Sequence, residues 1–261
     1  MSYQTLKLKE QRLLLRVQLY RPEVQNSLNA ILIEELYQVL QIVDQNNEIK
    51  IVLIEGLPDV FCTGMDFETI TKSDENPGED LTAQNTNLYY EILKCFSRSE
   101  KVIISMVRGK VSAGGIGLVA ASDLVIADPT AEFGLSELLF GLVPACVLPF
   151  LIRRVGFQAA YRMALTTQSI SASRAYEIGL VDDIHENLES QLRKYIIRLS
   201  RLESQSVKTL KRYVSQLWII EAKTQNLAVG QITELLTDPQ VRANIRAFVQ
   251  DGIFPWESKS S

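Results

Sequence analysis

Two short glycine-containing stretches, Gly64-Met65-Asp66 and Ala113-Gly114-Gly115, carry the chemistry this sequence offers. Each follows an apolar run that reads as a strand and precedes one that reads as a helix. A helix leaves its first four N–H groups without an intrahelical partner, and its dipole favours negative charge there. Glycine lets a ligand come close to such a backbone. Two turns of this kind facing one point would form an oxyanion hole, holding an oxygen that gains negative charge during a reaction. Removing one donor from such a hole typically costs about 2.7–4 kcal/mol. The plain alternative is a pair of tight turns with no ligand. A dinucleotide site competes weakly. Gly115-Ile116-Gly117 with Ala120 fits only the loose form of that glycine pattern, and the next strand ends at Asp128, too early for the usual ribose carboxylate. No phosphate-cradling G-x-x-x-x-G-K-[ST] is present.

The elements that must position these turns follow from apolar spacing. Tyr3–Leu8 and Leu13–Leu19 alternate as strands joined at Glu10-Gln11, and Arg21-Pro22-Glu23 breaks the second. Apolar residues at helical spacing run from Leu28 to Asn46, with Asn26 or Ser27 as the cap. Ile51–Glu55, Val102–Val107 and Leu124–Ala127 read as strands, and Leu88–Phe96 and Leu118–Ala121 as helices. The polar stretch Thr71–Leu81, with Pro77 and Gly78, reads as a mobile loop. The first half is thus a series of strand-strand-helix units. From Val147 onward the pattern is almost all helix: 148–155, 158–165, 172–177, 188–202, 206–221 and 241–251. The helices beyond residue 200 keep apolar faces that need partners, so they extend the first region rather than forming an independent unit.

Composition narrows the classes. At 261 residues, 46% hydrophobic and 22% charged, the chain can build a sizeable core. A net charge of -4 gives no general attraction to nucleic acid or an anionic membrane. No apolar run approaches the ~18 residues of a spanning helix. Met1–Glu10 has no apolar segment of signal-peptide type. Three widely spaced cysteines, Cys62, Cys95 and Cys146, suit reduced thiols in a cytoplasmic protein and lack metal-ligand spacing. The single histidine, His185, reads as an exposed loop residue, which removes most Ser-His, Cys-His and His-metal chemistry.

Five landmarks occur in order: Arg21–Asn29, Phe61-Cys62-Thr63-Gly64-Met65-Asp66, Gly109–Gly115, Phe133-Gly134-Leu135-Ser136-Glu137 and Gly141-Leu142-Val143-Pro144. Together they resemble the enoyl-CoA hydratase/isomerase (crotonase) family over roughly residues 5 to 250. The resemblance implies an α/β fold, a crotonase spiral of ββα units over residues 1–200. It also implies a helical C-terminal trimerisation region over 201–261, and a homotrimer or a hexamer made as a dimer of trimers. It carries the oxyanion donors onto the backbone N–H groups of Met65 and Gly114. Hydratases of the family place one glutamate shortly after the second glycine turn, where this chain has Gly117; the second glutamate position is kept as Glu137. Without the resemblance, Glu137 reads as a carboxylate at a helix start.

Longer stretches, Ile54–Cys62, Leu138–Arg154 and Phe254-Pro255-Trp256-Glu257, resemble the dehydratases of bacterial polyketide β-branching cassettes. That group removes water from 3-hydroxy-3-methylglutaryl groups on acyl carrier protein. The resemblance implies one carboxylate, Glu137, serving as base and then acid, with no cofactor and no metal. Its apolar neighbours Phe133, Leu135, Leu138 and Phe140 would raise its pKa. The phosphopantetheine arm, of a carrier protein or of CoA, would pass Val24 and Ser27. Asp66 and Cys146 are further substrate-binding candidates, with a helix cap and an inert thiol as their simpler readings. Lys72, Lys110, Arg153 and Arg154 are candidates for a distal carboxylate. Lys208, Lys211 and Arg212 could form a docking patch for an acidic carrier. The alternatives are a decarboxylase, hydratase or isomerase of the same fold, and a crotonase-fold protein that binds RNA.

Overall fold

The computed structural model describes residues 3–68, 81–217 and 220–257. Among the described residues, ten strands form two sheets. The larger contains, in spatial order, β1 (Leu6–Gln11), β2 (Leu14–Leu19), β3 (Ile51–Glu55), β5 (Val102–Val107), β7 (Leu124–Ala127) and β10 (Asp183–Ile184). The smaller contains β4 (Val60–Cys62), β6 (Lys110–Ser112), β8 (Glu132–Gly134) and β9 (Ile170–Ser171). Successive strands alternate between the sheets: β3 then β4, β5 then β6, β7 then β8. Pairing is parallel throughout except β1 with β2 and β8 with β9. This is the expected spiral of strand-strand-helix units.

The central strands β3 and β5 are buried on both faces, which is why they read as continuous apolar runs. Their side chains alternate between two cores. Val52, Ile54, Ile103 and Val107 face the main one, while Ile51, Leu53, Val102, Ile104 and Met106 face a smaller one.

Helix α1 (Ala30–Gln45) buries Leu32, Ile33, Leu36, Val39, Leu40 and Val43. Its cap is Asn29, whose side chain accepts from the Leu32 N–H, and not Asn26 or Ser27. Those two residues belong to a preceding turn with work of its own. The β1–β2 turn falls at Arg12 rather than Glu10-Gln11, with Arg12 in the left-handed region at φ 51. Helix α2 (Leu81–Arg98) starts before the predicted Leu88, and α3 (Gly114–Ala121) begins on the glycine turn itself. The stretch 71–80 with Lys72, predicted as a loop, lies outside the described residues.

Beyond the sheets come α4 (Leu148–Val155), α5 (Phe157–Thr166), α6 (Ala172–Glu177), α7 (Leu188–Leu199), α8 (Ser204–Ser215), α9 (Ala222–Thr237) and α10 (Pro239–Asp251). Helix α7 covers the smaller core through Leu188 and Leu192. Helices α9 and α10 give Ala228, Ile232, Leu236, Val241 and Ile245 to the main core. The helix predicted over 206–221 ends at Ser215, and α9 has no counterpart among the predicted helices. Among the described residues, no helix is long and apolar enough to cross a membrane.

Candidate active site

The two glycine turns meet. Strand β4 ends at Cys62, and Gly64 follows with φ 89, a conformation that penalises any side chain. A Cβ on Gly64 would lie 2.5 Å from the Ala113 Cβ and 3.0 Å from the Gly114 nitrogen. The backbone at Gly64 therefore fits only without a side chain. Leu28 stitches this turn down on both sides of Met65: its N–H donates to Gly64 O at 2.7 Å, and its carbonyl accepts from Asp66 N at 3.0 Å. Gly114 opens α3 with no side-chain cap. Ala113, just before it, sits at φ 49 and ψ −120, a strained setting for a residue with a Cβ.

Glu137 starts a 3-10 turn, Glu137–Phe140, that follows β8. The residue is part-exposed, but Oε2 is buried and has no hydrogen-bond partner. Burial pushes the carboxyl up to about 7, against hydrogen bonds from the backbone of Glu137 and Ser136 that favour its charge. A carboxyl poised near neutrality can both take and return a proton. The turn that carries it is pinned by α10: Asn244 Nδ2 donates to Phe140 O at 3.3 Å, and Phe140 stacks edge-on with Phe248 at 5.1 Å. Phe67 also meets Phe140 edge-on at 5.1 Å, and the chain of rings continues from Phe248 through Phe254 to Trp256.

The Arg21–Asn29 segment is a brace. Gln25 and Asn26 both lie in the left-handed region, at φ 52 and 55. The Asn26 side chain holds that turn by accepting from Arg21 N at 2.7 Å and donating to Phe61 O at 3.1 Å. Arg21, which the sequence marks as a strand end and the start of the first landmark but gives no role of its own, ties the segment to the first glycine turn. Its guanidinium donates to Ser27 O, to Ser27 Oγ at 3.2 Å and to Asp66 Oδ2 at 3.1 Å. Ser27 Oγ donates to the same carboxylate oxygen at 3.2 Å. Val24 ends the short 3-10 turn Pro22–Val24 and is half-buried.

Cys146 and Cys62 are buried, and burial pushes both thiols up to about 12, so neither is a nucleophile near neutral pH. Arg153 and Arg154 serve the end of α3: Arg153 donates to Ala120 O at 2.7 Å, Arg154 to Ser122 O at 2.9 Å and to Asp182 Oδ2 at 2.5 Å. Burial lowers Arg153 to about 10. Lys110 is exposed at the start of β6. The expected docking patch loses its centre. Lys211 is buried and donates to Phe96 O at 3.2 Å, Lys101 O at 3.0 Å and Asp123 Oδ2 at 2.7 Å, because α8 packs that face inward against the end of α2. Lys208 pairs with Glu100. His185 is a loop residue whose Nδ1 accepts from Asn187 N at 2.9 Å. Among the described residues, no group of His, Cys, Asp and Glu could hold a metal ion.

One residue in this constellation carries no signal in the sequence. Tyr89, on α2, is buried, and its hydroxyl donates to Gly114 O at 2.5 Å. A Cβ on Gly117 would come within 2.1 Å of that hydroxyl. The space beside Gly117 is therefore taken by a phenol from another helix. In the sequence Tyr89 counts only as one more apolar position of a helix.

Residues 9–259 match the family model described as enoyl-CoA hydratase/isomerase. The chain belongs to the enoyl-CoA hydratase/isomerase family. It is 42% identical over 260 residues to the bacillaene synthase dehydratase PksH of Bacillus subtilis (strain 168), covering 99% of this chain and 98% of that protein. It is 31% identical to the 2,3-dehydroadipyl-CoA hydratase of Escherichia coli (strain K12), over 67% of each chain. The crystal structure of pksH from Bacillus subtilis superposes with a TM-score of 0.92 at 40% identity, covering 97% of this chain and all of that one. The crystal structure of an enoyl-CoA hydratase/isomerase from Marinobacter aquaeolei gives 0.78 at 27% identity, covering 97% and 99%. As a member of the enoyl-CoA hydratase/isomerase family with dehydratase and hydratase relatives, the chain is an enzyme of the dehydratase and hydratase type.

Proposed function

We propose that this enzyme removes water from a 3-hydroxy-3-methylglutaryl thioester carried on acyl carrier protein, giving the 3-methylglutaconyl thioester in polyketide β-branching. The observation that carries this reading is Glu137: one carboxyl with a buried, unpartnered oxygen and a pKa near 7. Gly117 leaves no second carboxylate on α3, so a reaction that one acid/base group can complete is favoured. The likeness to a dehydratase of bacillaene synthase supports the pathway.

The steps balance with that single group. The Glu137 carboxylate takes the C2 proton, and the electron pair of the C–H bond moves into an enolate. The thioester oxygen, now negative, lies against the N–H groups of Met65 and Gly114. The enolate collapses to a C2–C3 double bond and expels the C3 hydroxyl, which takes the proton back from Glu137 and leaves as water. Glu137 ends as it began. No cofactor takes part.

Val24 and Ser27 border the path of the phosphopantetheine arm, of acyl carrier protein or of CoA. Asp66 acts through Arg21 and Ser27 to hold that path against the first glycine turn, and Cys146 lines the acyl pocket. Residues 1–200 serve as the spiral core. Residues 201–261 are the region through which copies associate as a trimer or hexamer, a reading supported by the exposed Leu210, Tyr213, Leu217 and Leu227. Free cysteines fit a cytoplasmic setting, and the net charge of -4 speaks against nucleic acid and membrane partners.

Mass spectrometry of 3-hydroxy-3-methylglutaryl carrier protein, with and without enzyme, tests the reading. Loss of one water is expected. Loss of carbon dioxide would indicate a decarboxylase of the same fold, and no change would remove the acyl group proposed.

A further inference from the structure

We propose that the Tyr89 oxygen accepts a hydrogen bond from the C3 hydroxyl of the substrate and so selects 3-hydroxyacyl thioesters. This rests on the dehydratase reading above and names the group that would recognise the leaving hydroxyl.

The geometry leaves the phenol a defined role. Its one proton is committed to Gly114 O at 2.5 Å, so what remains is acceptor capacity. The oxygen lies 3.5 Å from where a Cβ on Gly114 would stand and 2.1 Å from one on Gly117. It therefore lies alongside the first turn of α3, the helix whose opening N–H is the proposed oxyanion donor. Burial, and the nearness of Cys146, Cys62 and Glu137, hold its ionisation well above the usual tyrosine range. It stays a neutral phenol and works neither as base nor as anion.

A spare acceptor matches a ligand O–H and mismatches a ligand carbonyl. The thioester oxygen is an acceptor and gains nothing there. The C3 hydroxyl is a donor, and it remains one when it leaves as water. Tyr89 thus changes no bonds. It holds the hydroxyl before elimination and the water after it, while Glu137 moves the proton.

A purely structural part for Tyr89, propping the Gly114 carbonyl, predicts something different, and binding separates the two. Turnover is stopped with Glu137→Gln. Dissociation constants are then measured for carrier protein loaded with 3-hydroxy-3-methylglutaryl and with 3-methylglutaryl, which lacks only the hydroxyl. With Tyr89 present the hydroxylated group should bind roughly tenfold tighter, the scale of one buried hydrogen bond. Adding Tyr89→Phe should erase that preference while leaving the affinity for 3-methylglutaryl carrier unchanged. Gly117→Ala, which drives the phenol from its place, should erase it independently. Persistence of the preference in both variants overturns the proposal. An equal fall for both ligands also overturns it, since that is the signature of a prop. If the Tyr89 protein binds neither loaded carrier, the dehydratase reading itself fails and the proposal falls with it.

Discussion

Gly64 and Ala113 stand so close that a single added carbon on Gly64 would sit 2.5 Å from the Ala113 methyl. The two turns that supply the Met65 and Gly114 N–H groups are thus in contact, and their spacing depends on the missing Cβ. Gly64→Ala forces them apart and also strains φ 89. Dehydration should fall by roughly a hundredfold or more, the scale of losing one oxyanion donor. Michaelis–Menten kinetics would check it, and near-wild-type kcat would show that the spacing is immaterial.

Ala113 occupies a backbone conformation better suited to glycine, and such strain costs about 1–3 kcal/mol. Ala113→Gly relieves it, at the expense of extra freedom in the unfolded chain. A net gain of about 1 kcal/mol in urea unfolding is expected. A clear loss of stability would mean that the Ala113 methyl packs better than its backbone suffers.

The pH dependence of Glu137 has a definite sign. Its ordinary value is 4.5 and burial moves it to about 7. Between those values the folded protein holds a proton that the unfolded chain releases, so stability declines as pH rises across the window and is lowest above it. The full effect is about 3 kcal/mol. Glu137→Gln should therefore match the wild type near pH 4 and be the more stable protein at pH 8, while losing dehydration. For the wild type, kcat/KM should rise about tenfold per pH unit toward a plateau above about 7, as the base form fills. A flat profile from pH 5 to 8 would contradict a base of this pKa.

Arg21 and Asp66 pair at 3.1 Å with little exposure on either side. Removing one partner of such a pair leaves an uncompensated buried charge, at a cost of about 3–5 kcal/mol. Arg21→Met should show that loss in urea. Arg21→Met with Asp66→Leu should recover part of it. Equal losses in the single and double variants would mean that the Arg21 contacts to Ser27 matter more than the charge.

What the sequence exposed and what it hid divide along physical lines. Strands such as Ile51–Glu55 and Val102–Val107 were legible because burial on both faces demands unbroken apolar runs. The glycine turns were legible because few residues tolerate those backbones. Helix α9 was not: it opens on polar contacts to α2, with Gln225 bonded to Asn87, Glu91 and Lys94, and Gly230 interrupts its middle, although Ala228, Ile232 and Leu236 share its buried face. Lys211 looked like surface because a lysine's burial depends on carbonyls brought in by other elements. Tyr89 was invisible for the same reason: its partner Gly114 lies 25 positions away along the chain.

The hydrogen bond from Asn244 to Phe140 spans 104 positions. A chain that has already wound its strands still lacks the α10 contacts of its 137–140 segment, the Asn244 hydrogen bond and the Phe248 ring, until that helix docks. Contacts this distant in sequence close late, because the intervening loop entropy is lost before they form. On refolding from denaturant, catalytic competence should accordingly trail the recovery of regular backbone structure. The segment that carries Glu137, the proposed acid and base, would thus be among the later parts of the molecule to mature, completed by a helix that lends the proposed reaction no group of its own.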